Sequence, residues 1–192
     1  MSKSALLLMD LQELIVSRYI SDEKFSERFT KLTDAARRSG IPVIYVVVKF
    51  RKDFPEVSPR NKIFGMLKSS GMPLVEGDPA VEIHSSVAPK EGDIVVTKRR
   101  VGAFSGSDLE AVLRGQGVDH LVLTGIATSG VVLSTLRAAA DMDYKITVLS
   151  DCCYDKDEEV HRVLTEKVFP NQADVVTADE WLSQLKSLAA PA

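Results

Sequence analysis

Only two cysteines stand in the 192-residue sequence, Cys152 and Cys153, and they are adjacent. Neighbouring Cα atoms lie about 3.8 Å apart, below the usual disulfide span, so a bond between them would be strained. No long loop can be stapled, and reduced thiols in a cytoplasmic protein are the expectation. Long apolar runs are also missing. The first, Ala5 to Met9, is closed by Asp10, too short for a signal peptide and far from the roughly 18 residues that cross a membrane. Neither sign of charge dominates, since 24 Lys and Arg against 27 Asp and Glu leave a net charge of −3. That balance argues against a dedicated nucleic-acid binder. Histidines number three, His84, His120 and His161, without H-E-x-x-H or other metal spacing, so neither a metal nor a cofactor is expected.

What is present is an ordinary globular composition, 45% hydrophobic and 27% charged, of a length that points to one domain over 1–192. Short runs rich in Val, Ile and Leu recur at Ala5–Met9, Pro42–Val48, Asp93–Thr97, His120–Thr124, Lys145–Leu149 and Asp174–Thr177. Most lack clean alternation, which predicts strands buried on both faces of a parallel sheet. Amphipathic segments lie between them. Phe25, Phe29, Leu32 and Ala36 share one helical face, with Ser21 or Asp22 as cap and Gly40 as terminator. Ser107 is placed as the cap of a second helix, and Thr128 or Ser129 as the start of a third. A fourth runs through Val160 and Leu164, and a fifth spans Ala178 to Leu188. The fold class predicted is three-layer α/β/α with a mostly parallel sheet of about six strands. The stretch from Lys49 to Glu91 holds five prolines and no convincing long element; a segment of that length in a compact domain is more often functional than idle.

In open α/β sheets, ligands bind beyond the carboxyl ends of the strands. Asp10 follows the first strand there, Lys98 the third, and Gly125-Ile126-Ala127-Thr128-Ser129-Gly130-Val131 the fourth. Each signal alone is weak, because an Asp after a strand is commonly a turn residue and Lys98-Arg99-Arg100 reads as a solvated basic triplet. The Gly125–Gly130 segment fails as a phosphate loop, since Val131 and Val132 occupy the Lys and Ser/Thr positions.

Together these segments resemble the isochorismatase-like hydrolase family, also called the cysteine hydrolase superfamily. The resemblance runs from Leu6-Leu7-Leu8-Met9-Asp10-Leu11-Gln12, through Ile41-Pro42-Val43, Lys98 to Leu109 and Leu123-Thr124-Gly125-Ile126-Ala127-Thr128, to Asp174-Val175-Val176. It implies a triad of Asp, Lys and Cys, in which the thiolate attacks an amide carbonyl and backbone N–H groups bind the oxyanion. Asp10 and Lys98 map onto the first two roles. The oxyanion turn maps onto Ile126, Ala127 and Gly130, with a non-proline cis peptide at Ile126–Ala127. Family members are commonly dimers or tetramers, so a homo-oligomer acting on a small-molecule substrate is implied.

The family's spacing puts the nucleophile at position 131, where this chain has Val131. Valine excludes acyl-enzyme chemistry at that position. Ser129 stands two residues earlier, a helical rotation of about 200° away. Cys152 and Cys153 follow the fifth strand; their ordinary role would be as small buried thiols, and a Cys153-dependent amidohydrolase is one alternative. True isochorismatases also lack the cysteine, and hydrolyse a vinyl ether by protonation and water capture. By that resemblance Asp10 is the acid, kept protonated by burial, and Lys98 restrains it. Isochorismatases carry Tyr and Gln where this chain has Ala127 and Val48, and the nicotinamidase metal cluster is replaced by Lys49-Phe50-Arg51. The proline-rich segment is expected to cap the pocket. Within it Arg51 and Arg60 are the candidate partners of an anionic substrate, and Phe104 of the matched motif is a candidate pocket wall. The other alternative is a catalytically silent binding or assembly protein of the same fold.

Overall fold

The computed structural model describes residues 3–189, the last two by backbone alone. The extreme ends of the expected 1–192 domain therefore lie outside the described residues. Six strands form one parallel sheet: β1 (Ser4–Met9), β2 (Val43–Val48), β3 (Ile94–Lys98), β4 (His120–Ile126), β5 (Lys145–Tyr154) and β6 (Asp174–Val176). Their order is β3-β2-β1-β4-β5-β6. Of the four interior strands, β1, β2 and β4 are buried nearly throughout, which is why they read as continuous apolar runs instead of alternating ones.

Helices cover both faces. On one, α2 (Phe25–Arg38) and α7 (Ala178–Ala189) pack Phe29, Leu32 and Trp181 against Leu6, Leu8 and Tyr45. On the other, α4 (Leu109–Gly115) and α5 (Leu133–Asp141) bring Leu113 and Leu136 against Leu7, Val46 and Leu123. The end of α2 follows its sequence closely. Gly40 adopts φ +66°, Gly40 N–H donates to Arg37 O, and Ile41 N–H donates to Ala36 O at 2.9 Å; this is a Schellman closure at a residue that tolerates positive φ.

Several local expectations shift. The α2 cap position is Lys24, not Ser21 or Asp22, although Asp22 Oδ1 accepts from Lys24 N–H at 2.9 Å. The α4 cap position is Asp108, one residue after Ser107, whose Oγ accepts from Leu109 N–H at 3.2 Å. The third expected helix opens with a wide turn over Thr128–Val132 before α5 begins. The fourth is α6 (Glu158–Val163), continued by a wide turn over Leu164–Val168. Two helices were not expected at all. One is α1 (Glu13–Tyr19), which lacks a side-chain cap; the other is α3 (Lys62–Ser69), capped by Asn61 Oδ1, which accepts from Phe64 N–H at 3.1 Å. Both are two turns or so long, too short for apolar periodicity to register, and both owe their place to tertiary packing.

The chain winds outward from β1 through β2 to β3, then crosses back to β4 beside β1 and continues to β6. The reversal makes the carboxyl ends of β1 and β4 the switch point at which such sheets open a crevice. Met9 is in register with Gly125 there, and a Cβ at Gly125 would lie 2.4 Å from Met9 O. Gly125 also has φ +147°, so only glycine suits this close approach.

Candidate functional site

Asp10 is the first residue past β1, and it leaves the strand with φ +59°, a left-handed conformation that Asp tolerates better than most residues. Its N–H donates to Val46 O at 2.8 Å, which continues the β1–β2 ladder by one bond. Lys98 ends β3, two strands away, in register with Val48 of β2. The two side chains meet across the end of β2: Lys98 Nζ lies 2.9 Å from Asp10 Oδ2, and their side chains are only 2% and 9% exposed. Lys98 Nζ also donates to Arg100 O at 3.0 Å. Asp10 Oδ1 is buried and has no hydrogen-bond partner among the described residues.

Burial raises the Asp10 pKa above the ordinary carboxylate value, and the charge and hydrogen bond of Lys98 only partly offset it. A carboxyl group with one oxygen held by Lys98 and the other free of described partners, and with burial shifting it toward its protonated form, has the features of a proton donor.

Gln12, two residues beyond Asp10, is the local clamp. Its amide is 1% exposed. Nε2 donates to Val48 O at 3.0 Å and to Val81 O at 2.6 Å, and Oε1 accepts from Val48 N–H at 2.8 Å. It thus ties the segment after Asp10 to the end of β2 and to the turn at Pro79–Val81. The signal in the sequence is only an amide two residues beyond a strand-end acid.

The peptide Ile126–Ala127 is cis. Gly130 N–H donates to Ala127 O at 3.0 Å, and Ser129 N–H donates to Asp155 Oδ2 at 2.8 Å. Of the expected oxyanion turn, the Gly130 donor is therefore engaged within the fold, as is that of its neighbour Ser129. Val131 is 2% exposed and packs in the apolar cluster that contains Met9 and Ala103, neighbours of Asp10 and of the loop after Lys98. That loop docks on α5, where Ala103 N–H donates to Thr135 Oγ1 at 3.0 Å.

A cavity of about 290 Å³ opens between the cis turn and the end of β2. Ile126, Ala127 and Val48 form its inner side, with Leu14 and Ile15 of α1 and Phe64 and Leu67 of α3 on the outer side. Asp10, Lys98 and Val131 are not among its lining residues; strand register places Asp10 behind that lining, between the ends of β2 and β4, the strands that contribute Val48 and Ile126. The proline-rich segment does supply a wall, through α3, Met72 and Leu74. Its arginines do not line that cavity. Arg51 is exposed and pairs with Glu56 at 2.6 Å, and Arg60 is exposed on the approach to α3. Phe104 is half-buried on the other face of the sheet, 6.0 Å from the ring of Tyr144.

The thiols are separated by the pleat. Cys152 packs with the α2–α7 layer and Cys153 with the α4–α5 layer, in register with Gly125. Both are buried, which pushes both thiol pKa values up, that of Cys153 to about 12; a thiol held in that state is a poor nucleophile. Among the described residues no three His, Cys, Asp or Glu side chains converge on a metal-ligating group, and no helix is long and apolar enough to cross a membrane.

Residues 4–180 match the model of the isochorismatase domain. An uncharacterized isochorismatase family protein of Bacillus subtilis, YwoC, is 33% identical over 184 residues, covering 96% of this chain and 95% of that one. The ureidoacrylate amidohydrolase RutB of Variovorax paradoxus is 31% identical over 175 residues, covering 80% and 69%. Among solved structures, a cysteine hydrolase from Pseudomonas syringae superposes with a TM-score of 0.87 at 23% identity, covering 96% of this chain and 93% of that one; at that identity the likeness speaks for the fold.

Proposed function

The chain belongs to the isochorismatase-like hydrolase family, and we propose that it hydrolyses a small substrate through Asp10 and Lys98, without a cysteine nucleophile. The observation that carries this reading is the Asp10 carboxyl group, with Oδ2 on Lys98 Nζ at 2.9 Å and Oδ1 buried without a partner among the described residues. A buried ion pair contributes little net stability, so its presence at a switch point is better accounted for by chemistry. The two high-pKa thiols and the valine at position 131 support a route that needs no side-chain nucleophile.

Vinyl ether hydrolysis, the reaction type that isochorismate undergoes, fits these groups best, on a substrate that is itself smaller and singly charged. Protonated Asp10 gives its proton to the enol-ether carbon, and the C=C electrons form the new C–H bond. The resulting oxocarbenium ion is captured by water, and the hemiketal collapses to a ketone and an alcohol. The water's proton restores the acid. Lys98 fixes the carboxyl group and limits how far the Asp10 pKa rises. Related esters and amides are the next substrates to consider; the amidohydrolase activity in the name of the Variovorax relative makes the amides worth testing. We further propose that the protein is a cytoplasmic homo-oligomer; light scattering on the purified protein would check the oligomeric state.

Small enol ethers, esters and amides, isochorismate among them, are to be incubated with the native protein and with Asp10→Asn. Turnover that disappears in the variant is the expected result. Absence of turnover of every substrate would instead favour a silent binding protein, and turnover retained in Asp10→Asn would remove Asp10 from the chemistry.

A further inference from the structure

The cavity beside the cis turn is apolar on nearly every side, yet its two charged lining residues have the same sign. They are Arg18 and Lys156, both exposed and so at its opening to solvent, and among the described residues no carboxylate lines it. Neither forms an ion pair among the described residues. Arg18 Nη1 reaches only Met72 Sδ, at 3.5 Å, and Lys156 Nζ lies 5.0 Å from the centroid of the Tyr19 ring. The two acids that flank Lys156 in sequence are both engaged with backbone: the oxygens of Asp155 accept from Ser129 N–H and Lys156 N–H, and Asp157 Oδ1 accepts from Glu159 N–H and Val160 N–H.

We propose that this cavity selects a small amphipathic monoanion, its apolar body inside and its carboxylate at the mouth against Arg18 and Lys156. As the identity of the substrate, this rests on the reading of Asp10 given above; as a binding property, it stands on the cavity alone. The volume of about 290 Å³ equals roughly ten waters at about 30 Å³ each, room for about ten non-hydrogen atoms. Leu14, Phe64, Leu67 and Leu74 offer such a ligand no hydrogen bond, so hydroxyl-rich bodies are disfavoured by the cost of desolvating them. An arginine fork and an ammonium without competing carboxylates suit a terminal carboxylate. Anion recognition therefore belongs to α1 and the start of the segment after β5, not to Arg51 or Arg60.

Titration calorimetry of the full chain with n-alkanoates from butyrate to decanoate, and with n-alcohols of equal length, tests this. Affinity should rise about fourfold per added methylene and level off near octanoate, which has about ten non-hydrogen atoms and fills the volume estimated from the water size. Alkanoates should bind about threefold or more tightly than the alcohols, a difference of the size that exposed ion pairs supply. The double variant Arg18→Ala/Lys156→Ala should bring alkanoates down to the alcohols and leave the alcohols unchanged. Leu67→Trp, or Met72→Trp if the former lowers the melting temperature, should remove binding of both series. Affinity independent of chain length, equal affinity for acids and alcohols, or binding that survives the filled cavity would overturn the proposal. Asp10→Asn should bind the alkanoates as the native chain does. Chain-length-dependent binding without any Asp10-dependent turnover would sink the catalytic reading alone. Asp10-dependent turnover without such binding would sink this one alone.

Discussion

Replacing Asp10 by Asn should make the protein more stable relative to wild type as the pH rises, while abolishing its chemistry. The reason is linkage. Asp10 is buried, and burial outweighs the attraction of Lys98 at 2.9 Å, so its folded pKa stands above the ordinary value near 3.8. A group with a raised folded pKa contributes stability that is fully present below the unfolded value and is lost as pH rises through the folded one. Asn does not titrate. The stability of wild type minus that of Asp10→Asn should therefore fall from about pH 4 upward, by at most about tenfold in the folding equilibrium constant per pH unit, and flatten once the folded Asp10 has ionised. For a domain of this size that is roughly 3–5 °C in melting temperature per pH unit across the window. The constant offset between Asp and Asn is immaterial, because only the pH-dependent part reports Asp10. Urea denaturation of both proteins at unit pH steps from 4 to 9 reads it directly. A difference that stays flat, or that moves in favour of wild type as the pH rises, would show that Lys98 dominates and that Asp10 is an ordinary paired carboxylate, which would refute the reasoning.

Three further outcomes follow from packing and burial. Gln12→Leu should cost about 3 kcal/mol or more in urea denaturation, because it leaves Val48 N–H, Val48 O and Val81 O without their partner inside the fold; a loss under about 1 kcal/mol would mean that water replaces the clamp. Gly125→Ala should fail to give a cooperative thermal transition by circular dichroism, since its Cβ would lie 2.4 Å from Met9 O at a φ of +147°; a native-like melting curve would show that β1 and β4 can separate there. Cys152 and Cys153 should resist iodoacetamide in the native state and react on unfolding, as both are buried with raised pKa values; mass spectrometry showing rapid labelling of the folded protein would contradict that burial.

How much of this was legible in the sequence depends on the element. The interior strands were, because a strand buried on both faces must be an apolar run, as Val43–Val48 is. The long helix α2 was, because Phe25, Phe29, Leu32 and Ala36 keep one face over three turns. The strand-end pair was legible in place but not in environment. Lys98-Arg99-Arg100 reads as a solvated triplet, yet Lys98 is buried on Asp10, whereas Arg99 turns to Glu56 and Glu76. Neighbouring basic residues part company because strand residues alternate and the loop after β3 turns away. The cavity walls were the least legible. They come from α1 and α3, whose seven and eight residues are positioned by packing over the sheet edge, so nothing local announces that Leu14 and Phe64 face the same space. For the same reason Arg51 and Arg60, prominent in the sequence, stand aside from that cavity, while Arg18 and Lys156 line it.

The claim at the centre is that protonated Asp10, and no thiol, drives hydrolysis. The pH dependence of kcat/KM in the variant Cys152→Ser/Cys153→Ser, on the best substrate of the panel, tests it most directly. The account predicts that activity survives the loss of both thiols, falls as the pH rises through an apparent pKa above the usual carboxylate range, and extends to higher pH when Lys98 is replaced by Met. Activity that vanishes with the thiols, or that climbs as the pH rises, would contradict it.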